Sequence, residues 1–195
     1  MSPAFRALPA LAGLAAVLAG CSTFSDPAPS TGIDELVIPA PALDPDDFVD
    51  SVDNRWFVLD DVSFAGPDGV VEQTVDDGPD VAGVPTTAVT LGDVTDLYAQ
   101  DDAGNVWWLA RVGEWTAGED GALAGLAMPA EPRVGDGWRR AQVPGADLRA
   151  TVLAVDDDQV VLELVDDDVV AEAAYVDGTG LEDLETATGE LLLAR

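Results

Sequence analysis

Histidine is absent from the 195-residue sequence, and cysteine occurs once. Without histidine, the chain cannot form a Ser/His/Asp triad, a Cys/His catalytic pair or a histidine-rich zinc site. With one cysteine, it cannot form an intramolecular disulfide. Lysine is absent as well, so 8 arginines face 38 carboxylates, for a formal net charge of -30. Because phosphate binding needs clustered cations, nucleic acid is not an expected partner. Carboxylates are the remaining catalytic groups, and the sequence singles out none of them as catalytic.

Long apolar runs are scarce too. The run at Ala7–Leu18 is shorter than the roughly 20 residues that span a bilayer, and it follows a short segment containing Arg6. This arrangement is typical of a secretory signal peptide. The run ends in Leu18-Ala19-Gly20-Cys21, which resembles the lipobox of bacterial lipoproteins. The resemblance implies cleavage between Gly20 and Cys21 and a diacylglycerol on the Cys21 thiol; the alternative is a core cysteine behind an ordinary signal peptide.

These features predict three segments. Residues 1–20 are a lipoprotein signal peptide, residues 21–47 are the lipidated cysteine with a flexible, acidic tether rich in Pro, Ala and Ser, and residues 48–195 are a β-rich extracytoplasmic domain. A tether of roughly 25 residues holds the domain about 25–30 Å from the lipid. We thus expect localisation outside the cytoplasmic membrane, with the membrane as a partner through the lipid on Cys21.

The predicted domain shows the pattern of antiparallel β-structure. Thr151–Val155, Gln159–Val165 and Val169–Val176 are separated by two Asp-Asp-Asp turns, which leave no room for crossover helices. Gly66–Gly69 and Asp101–Asn105 predict further hairpin turns.

The fold class is therefore mainly β, a single domain of antiparallel strands that forms an open curved sheet or a partial barrel. Helical periodicity is limited to a hint at Asp46–Asn54. The glycines from Gly118 to Gly125, with Pro129, suggest a loop that crosses an edge of the sheet.

Aromatic residues are the candidate ligand-binding groups. Trp107 and Trp108 are adjacent and point to opposite faces of a strand, so we expect at least one to be exposed or set in a groove. Tyr98 and Trp115 complete the candidate surface, and Trp138 is a further candidate. Such a platform suits sugars or apolar ligands, whereas the competing interpretation is packing in the core.

The acidic turns suggest two other kinds of site. Asp101, Asp156 and Asp166 offer oxygens to Ca²⁺, the one cofactor considered, although their spacing does not match an EF-hand and tight turns favour the same residues. A carboxylate-dependent hydrolase needs a pair at a defined separation, for instance Asp101 and Glu114.

The central motif also supports a resemblance. Thr95–Asp101 and Gly104–Trp108 are similar to the core D-W-Y-A-Q-D-x-x-G-N-V-W-Y of a family of uncharacterised bacterial secreted proteins and lipoproteins. The similarity extends over about residues 54–150, through Asn54–Leu59, Val81–Thr86, Trp115–Ala122 and Gly125–Ala130. It implies a β-rich extracytoplasmic domain and carries over no catalytic residue. This chain has Leu109-Ala110-Arg111 where that family usually has F-G-E, and its hairpin before Trp115 is shorter.

Together these observations predict a membrane-anchored lipoprotein whose domain binds a ligand or partner of the cell envelope without catalysis. The alternatives are a carboxylate-dependent hydrolase acting in the envelope and a calcium-dependent surface protein.

Overall fold

The structure is a computed structural model that describes Leu36, Ile38–Ala40 and Ala42–Ala194. The predicted signal peptide and Cys21 lie outside these residues. Within the described part of the chain, no helix is long and apolar enough to cross a bilayer.

Antiparallel strands account for most of the described chain, and a 3-10 turn at Pro45–Asp47 precedes the first of them. The strands are β1 (Phe48–Val49), β2 (Val62–Gly66), β3 (Gly69–Val81), β4 (Val84–Leu91), β5 (Val94–Asp101), β6 (Val106–Arg111), β7 (Trp115–Thr116), β8 (Leu123–Met128), β9 (Gly137–Arg139), β10 (Ala141–Gln142), β11 (Leu148–Val155), β12 (Gln159–Asp166), β13 (Val169–Val176), β14 (Gly180–Thr186) and β15 (Gly189–Leu193).

The predicted mainly-β class is confirmed, and so are the local hairpins. Strands β11, β12 and β13 pair antiparallel around the two acidic turns. The first of these turns is favoured because the Asp156 carboxylate accepts from the backbone N–H groups of Asp158 and Gln159, at 2.9 and 2.8 Å. In the turn after β5, Gly104 supplies the positive φ of 89°.

The strands form one sheet that curls until its ends nearly meet. Its order is β10-β8-β6-β5-β4-β3-β2-β15-β14-β13-β12-β11-β9, with β1 and β7 added beside β5 and β6. Across the junction, the indole Nε1 of Trp138 donates to the Leu126 carbonyl at 2.6 Å. The chain itself also crosses the junction, because the Arg140 N–H donates to the Leu148 carbonyl of β11 at 3.0 Å while the next residues, Ala141 and Gln142, pair with β8. The partial barrel, rather than the open sheet, is therefore the better description.

The hydrophobic core fills the inside of this sheet. Leu162 on β12 faces its partners Val152 on β11 and Ala173 on β13, and all three are buried. Because side chains alternate along each strand, the intervening positions point outward and carry much of the charge.

Two local expectations are wrong. The hint of a helix at Asp46–Asn54 is instead a 3-10 turn capped by Asp44, followed by β1, which pairs with β5. The proposed edge loop contains strand β8. Its Gly125 runs so close to the backbone of Arg140 that an added Cβ would lie 2.4 Å from the Arg140 carbonyl carbon. This close approach requires small residues. Because such residues have a low propensity for strands, the sequence gives little sign of β8.

Packing against the domain also begins before Phe48. Leu36, Ile38, Ala40 and Leu43 contact the core, and the Ala40 N–H donates to the Ala124 carbonyl at 2.8 Å. We call these four residues the covering segment, because they pack on the domain although they belong to the predicted tether.

Candidate functional site

Trp107 and Trp108 point to opposite faces of β6, as predicted, but neither ring is exposed. Trp107 lies on the outer face, in a groove that Leu36, Ala40 and Leu43 of the covering segment also line. Trp108 lies on the inner face, where the sheet encloses it. The alternation of side chains along β6 therefore explains why the two rings lie on opposite faces. The covering segment buries Trp107, and the closure of the sheet buries Trp108.

Asp101 and Trp107, on the outer face of the sheet, have a structural role. Its carboxylate accepts from the backbone N–H groups of Ala103 and Asn105, from the Asn105 amide and from Trp107 Nε1, at distances of 2.8–3.2 Å. These bonds hold the turn after β5 and fix the Trp107 ring. Asp101 and Trp107 therefore stabilise the fold on the outer face, on the opposite side of β6 from Trp108.

The inner face is organised around Asp96. Trp108 Nε1 donates to the Ala110 carbonyl at 2.8 Å and, at a longer 3.1 Å, to Oδ1 of Asp96. The Tyr98 hydroxyl donates to Oδ2 of Asp96 at 3.4 Å. Arg111 pairs with both oxygens, through Nε at 2.9 Å and Nη2 at 3.1 Å. Register explains the cluster: Asp96 is opposite Arg111 and Tyr98 is opposite Trp108, because a bulge at Leu109 keeps both pairs on the same face.

Arg111 also connects this cluster to the far side of the sheet. Its Nη1 lies 3.4 Å from Oδ2 of Asp166, at the end of β12. Burial lowers the pKa of Arg111, but the hydrogen bond and charge of Asp96, together with Asp166, outweigh burial and hold that pKa above its usual value. Arg111 thus stays charged at every practical pH and keeps its ion pairs with Asp96 and Asp166.

Three side chains surround the Trp108 ring. The guanidinium carbons of Arg111 and Arg140 each lie 4.8 Å from its centroid, and the Trp115 ring meets it edge-on at 4.9 Å. Cation–π and edge-to-face contacts of this kind fix the orientation of an indole. Trp108 is therefore a rigid support behind Trp115.

Trp115 forms part of the wall of a cleft of about 420 Å³. The other lining residues come from the loops around it: Gly113, Glu114, Thr116, Glu119, Asp120, Ala122, Val143 and Pro144. Gly118, Asp120 and Gly121 all have positive φ, which allows the Glu119–Ala122 loop to turn back on itself. The result is an indole surface beside three carboxylates.

A smaller cavity of about 100 Å³ lies deeper in the sheet. Phe57 packs between Tyr98 and Tyr175, with ring centroids at 5.0 and 5.8 Å. Burial raises the pKa of both tyrosines; Asp96 adds to the effect at Tyr98, while Arg140 opposes it at both residues. Both hydroxyls therefore stay protonated well above neutral pH.

The structure does not bring the three candidate calcium ligands together. Asp156 lies in the turn before β12, whereas Asp166 is the last residue of that strand. The Asp101 carboxylate accepts hydrogen bonds from its own turn. Among the described residues, no group of three metal-ligating side chains is close enough to hold an ion. The suggested hydrolase pair is separated as well: Asp101 and Glu114 lie at opposite ends of the β5–β6 hairpin, about 20 Å apart by strand length.

Of the four aromatic candidates, Tyr98, Trp108 and Trp115 therefore belong to one connected cluster, and Trp107 does not. Sequence reasoning missed Asp96, Arg111, Arg140 and Phe57. One signal was available: Asp96 precedes Tyr98 by two residues and so shares its face.

Comparison with protein-family models, with curated proteins and with solved structures finds no match for this chain. The resemblance to the secreted family stays a prediction.

Proposed function

We propose that the protein is a bacterial lipoprotein, anchored outside the cytoplasmic membrane through Cys21, whose domain binds a small envelope ligand in the Trp115 cleft without catalysis. One observation carries the binding proposal. Of the five tryptophans, Trp56, Trp107, Trp108 and Trp138 are at most 7% exposed, whereas Trp115 is half-buried and lines the 420 Å³ cleft.

The support behind Trp115 favours binding over simple packing. Trp108 contacts its ring, and Asp96 and the two arginines hold Trp108 in place. A pre-organised aromatic wall lowers the entropy cost of binding. Its flat apolar surface suits stacking against a sugar or an apolar group, and polar neighbours orient the ligand.

Intrinsic fluorescence tests this proposal. Full-length protein in detergent is titrated with soluble cell-wall fragments, glycans and lipids, and Trp115→Phe is compared with Trp56→Phe, a change at a buried indole away from the cleft. We expect at least one class to shift the emission of the wild type and of Trp56→Phe, and to bind Trp115→Phe at least tenfold more weakly. No shift with any class, or equal binding by both variants, would refute the proposal.

A hydrolase is a second candidate, because the carboxylates of Glu114, Glu119 and Asp120 line the same cleft. Incubation of the wild type with the fragments that bind separates the two functions. The binding proposal predicts recovery of intact ligand. A hydrolase predicts cleavage that one of Glu114→Gln, Glu119→Gln or Asp120→Asn abolishes without lowering the melting temperature.

Lipidation has an independent test. Cys21→Ser is expected to abolish metabolic labelling with an acyl chain and to release the protein from the membrane fraction. Persistent labelling of the variant would refute the anchor.

A further inference from the structure

The inner cavity of about 100 Å³ is separate from the Trp115 cleft, because the two share no lining residue. Seven of its eleven lining residues have aliphatic or phenyl side chains. The other four are Gln73, Asp96, Tyr98 and Tyr175. The proposed binding function makes no use of this cavity.

One wall of the cavity is the inner face of the β4–β5 hairpin. Leu91 is opposite Val94, and Val89 is opposite Asp96. All four residues line the cavity. Val94 is also 40% exposed, so it contacts both the cavity and the solvent. The cavity therefore opens beside the turn that joins the two strands.

Three of the four polar side chains that line the cavity have partners within the protein. Gln73 Nε2 donates to the Asp60 carbonyl at 3.0 Å. The Tyr98 hydroxyl donates to Asp96, and Asp96 is paired with Arg111. Because these groups already have hydrogen bonds, the cavity offers a ligand mainly apolar contact.

The size of the cavity favours a slim apolar group. An enclosed apolar cavity of about 150 Å³ stays dry and binds benzene or xenon. This cavity is smaller, at about 100 Å³, and its open end lets a longer molecule extend into the solvent. The end of an unbranched alkyl chain meets both conditions, and burial of its methylene groups is favourable.

Charge at the opening restricts the rest of the molecule. Asp93 lies in the turn between Leu91 and Val94 and is exposed. The chain as a whole carries a net charge of -30. A neutral or cationic head group is compatible with this negative field, whereas an anionic head group is repelled.

We infer that the inner cavity binds the alkyl end of an amphipathic molecule, whose neutral or cationic head group stays in the solvent beside Val94. This site is independent of the Trp115 cleft, so either site can fail its test without the other.

Fluorine NMR of full-length protein labelled with 3-fluorotyrosine tests the inference. The chain has two tyrosines and both line the cavity, so each of the two resonances reports on it. The protein is held in digitonin, a detergent without an unbranched alkyl chain that would compete. 1-Hexanol is compared with 1,6-hexanediol, which has the same chain length but would bury a second hydroxyl. We expect 1-hexanol to shift at least one resonance saturably and to bind about tenfold more tightly than the diol.

Two charged probes test the head group. Hexanoate is expected to bind more weakly than 1-hexanol, and hexylammonium at least as tightly as 1-hexanol. High salt is expected to reduce these differences. Binding of hexanoate that equals or exceeds that of 1-hexanol would overturn the assignment of the head group.

Two variants at exposed valines test the position of the opening. Val94→Trp places a large ring at the opening and is expected to weaken the binding of 1-hexanol at least tenfold. Val70→Trp is the control, since Val70 is 67% exposed on the neighbouring strand β3 and does not line the cavity. Val70→Trp and Trp115→Phe are both expected to bind 1-hexanol like the wild type.

The outcomes separate this inference from the proposed function. Tyrosine resonances that stay fixed up to the solubility limit of 1-hexanol, or equal binding of 1-hexanol and the diol, would overturn the inference. Equal binding by Val94→Trp and Val70→Trp, or loss of binding in Trp115→Phe, would overturn it as well. If Val94→Trp fails to fold, the comparison of the two alcohols on the wild type still decides the outcome. The proposed function depends instead on Trp115-dependent binding of cell-wall fragments, glycans or lipids.

Discussion

Arg111 and Asp96 form a two-point ion pair inside the sheet, with Nε–Oδ1 at 2.9 Å and Nη2–Oδ2 at 3.1 Å. Their side chains are 19% and 15% exposed. The pair also contacts Trp108: Arg111 lies over its ring, and Asp96 shares the Nε1 hydrogen with the Ala110 carbonyl. It therefore links the stability of the sheet to the geometry of the Trp115 cleft.

Removing the cation of this pair is expected to be costly. Arg111→Met leaves the Asp96 carboxylate partly buried without its counter-ion, and we expect the free energy of unfolding to fall by about 3 kcal/mol. Arg149→Met is the control, since Arg149 pairs with Asp147 at 2.8 Å but both side chains are about half exposed; its expected cost is below about 1 kcal/mol. Urea unfolding measures both. Equal losses would show that the inner pair has no special role.

The two tyrosines predict loss of stability in alkali. Their pKa values are raised in the folded protein, chiefly by burial, above the ordinary 10.0. As pH rises past about 10, the unfolded chain loses protons that the folded state still holds, so the free energy of unfolding falls. The contribution is fully present below that pH. With no lysine or histidine in the chain, few other groups titrate in this range.

Thermal melts between about pH 8 and pH 11, followed with the tyrosinate absorbance, measure this effect. The double variant Tyr98→Phe/Tyr175→Phe is expected to depend much less on pH than the wild type. An equally steep alkaline loss in the double variant would assign it to other groups.

Four glutamates lie directly opposite one another across the outer face of adjacent strands. Glu163, Glu172, Glu185 and Glu190 are successive partners on β12, β13, β14 and β15. Like charges in register repel, so Glu172→Gln is expected to raise the free energy of unfolding by about 0.2–1 kcal/mol. Glu131→Gln, at an exposed position outside this row, serves as the control. Moderate salt is expected to reduce the difference between Glu172→Gln and the wild type.

Calcium provides a test of the acidic turns. The Asp101 oxygens already accept hydrogen bonds from four donor nitrogens, and Asp166 faces Arg111. We therefore expect millimolar CaCl₂ and NaCl of equal ionic strength to change the melting temperature alike. A rise specific to calcium, which tight binding by the folded state would produce, would restore the predicted site.

Local signals explain what could be predicted. The hairpins of β11–β13 follow from β-branched runs broken by Asp-rich turns, and the Gly104 turn follows from the need for positive φ. These features depend on residues that are close together in the chain.

The missed features depend on closure of the sheet. Arg140 reaches Trp108 because β8 and the segment after β9 meet across the junction. Trp107 is buried because Leu36, Ala40 and Leu43 lie over the outer face. No periodicity in one stretch of sequence encodes such contacts. The candidate site was therefore found in part, through Tyr98, Trp108 and Trp115, but the charges that organise it were not.

The measurement that most directly tests the binding account is fluorine NMR of full-length protein labelled with 5-fluorotryptophan. The five tryptophans give five resonances, and Trp115→Phe assigns the one from Trp115. We predict that this resonance shows the largest change between H₂O and D₂O and the largest shift when soluble cell-wall fragments or glycans are added. A Trp115 resonance that stays fixed while that of another tryptophan moves would contradict the account.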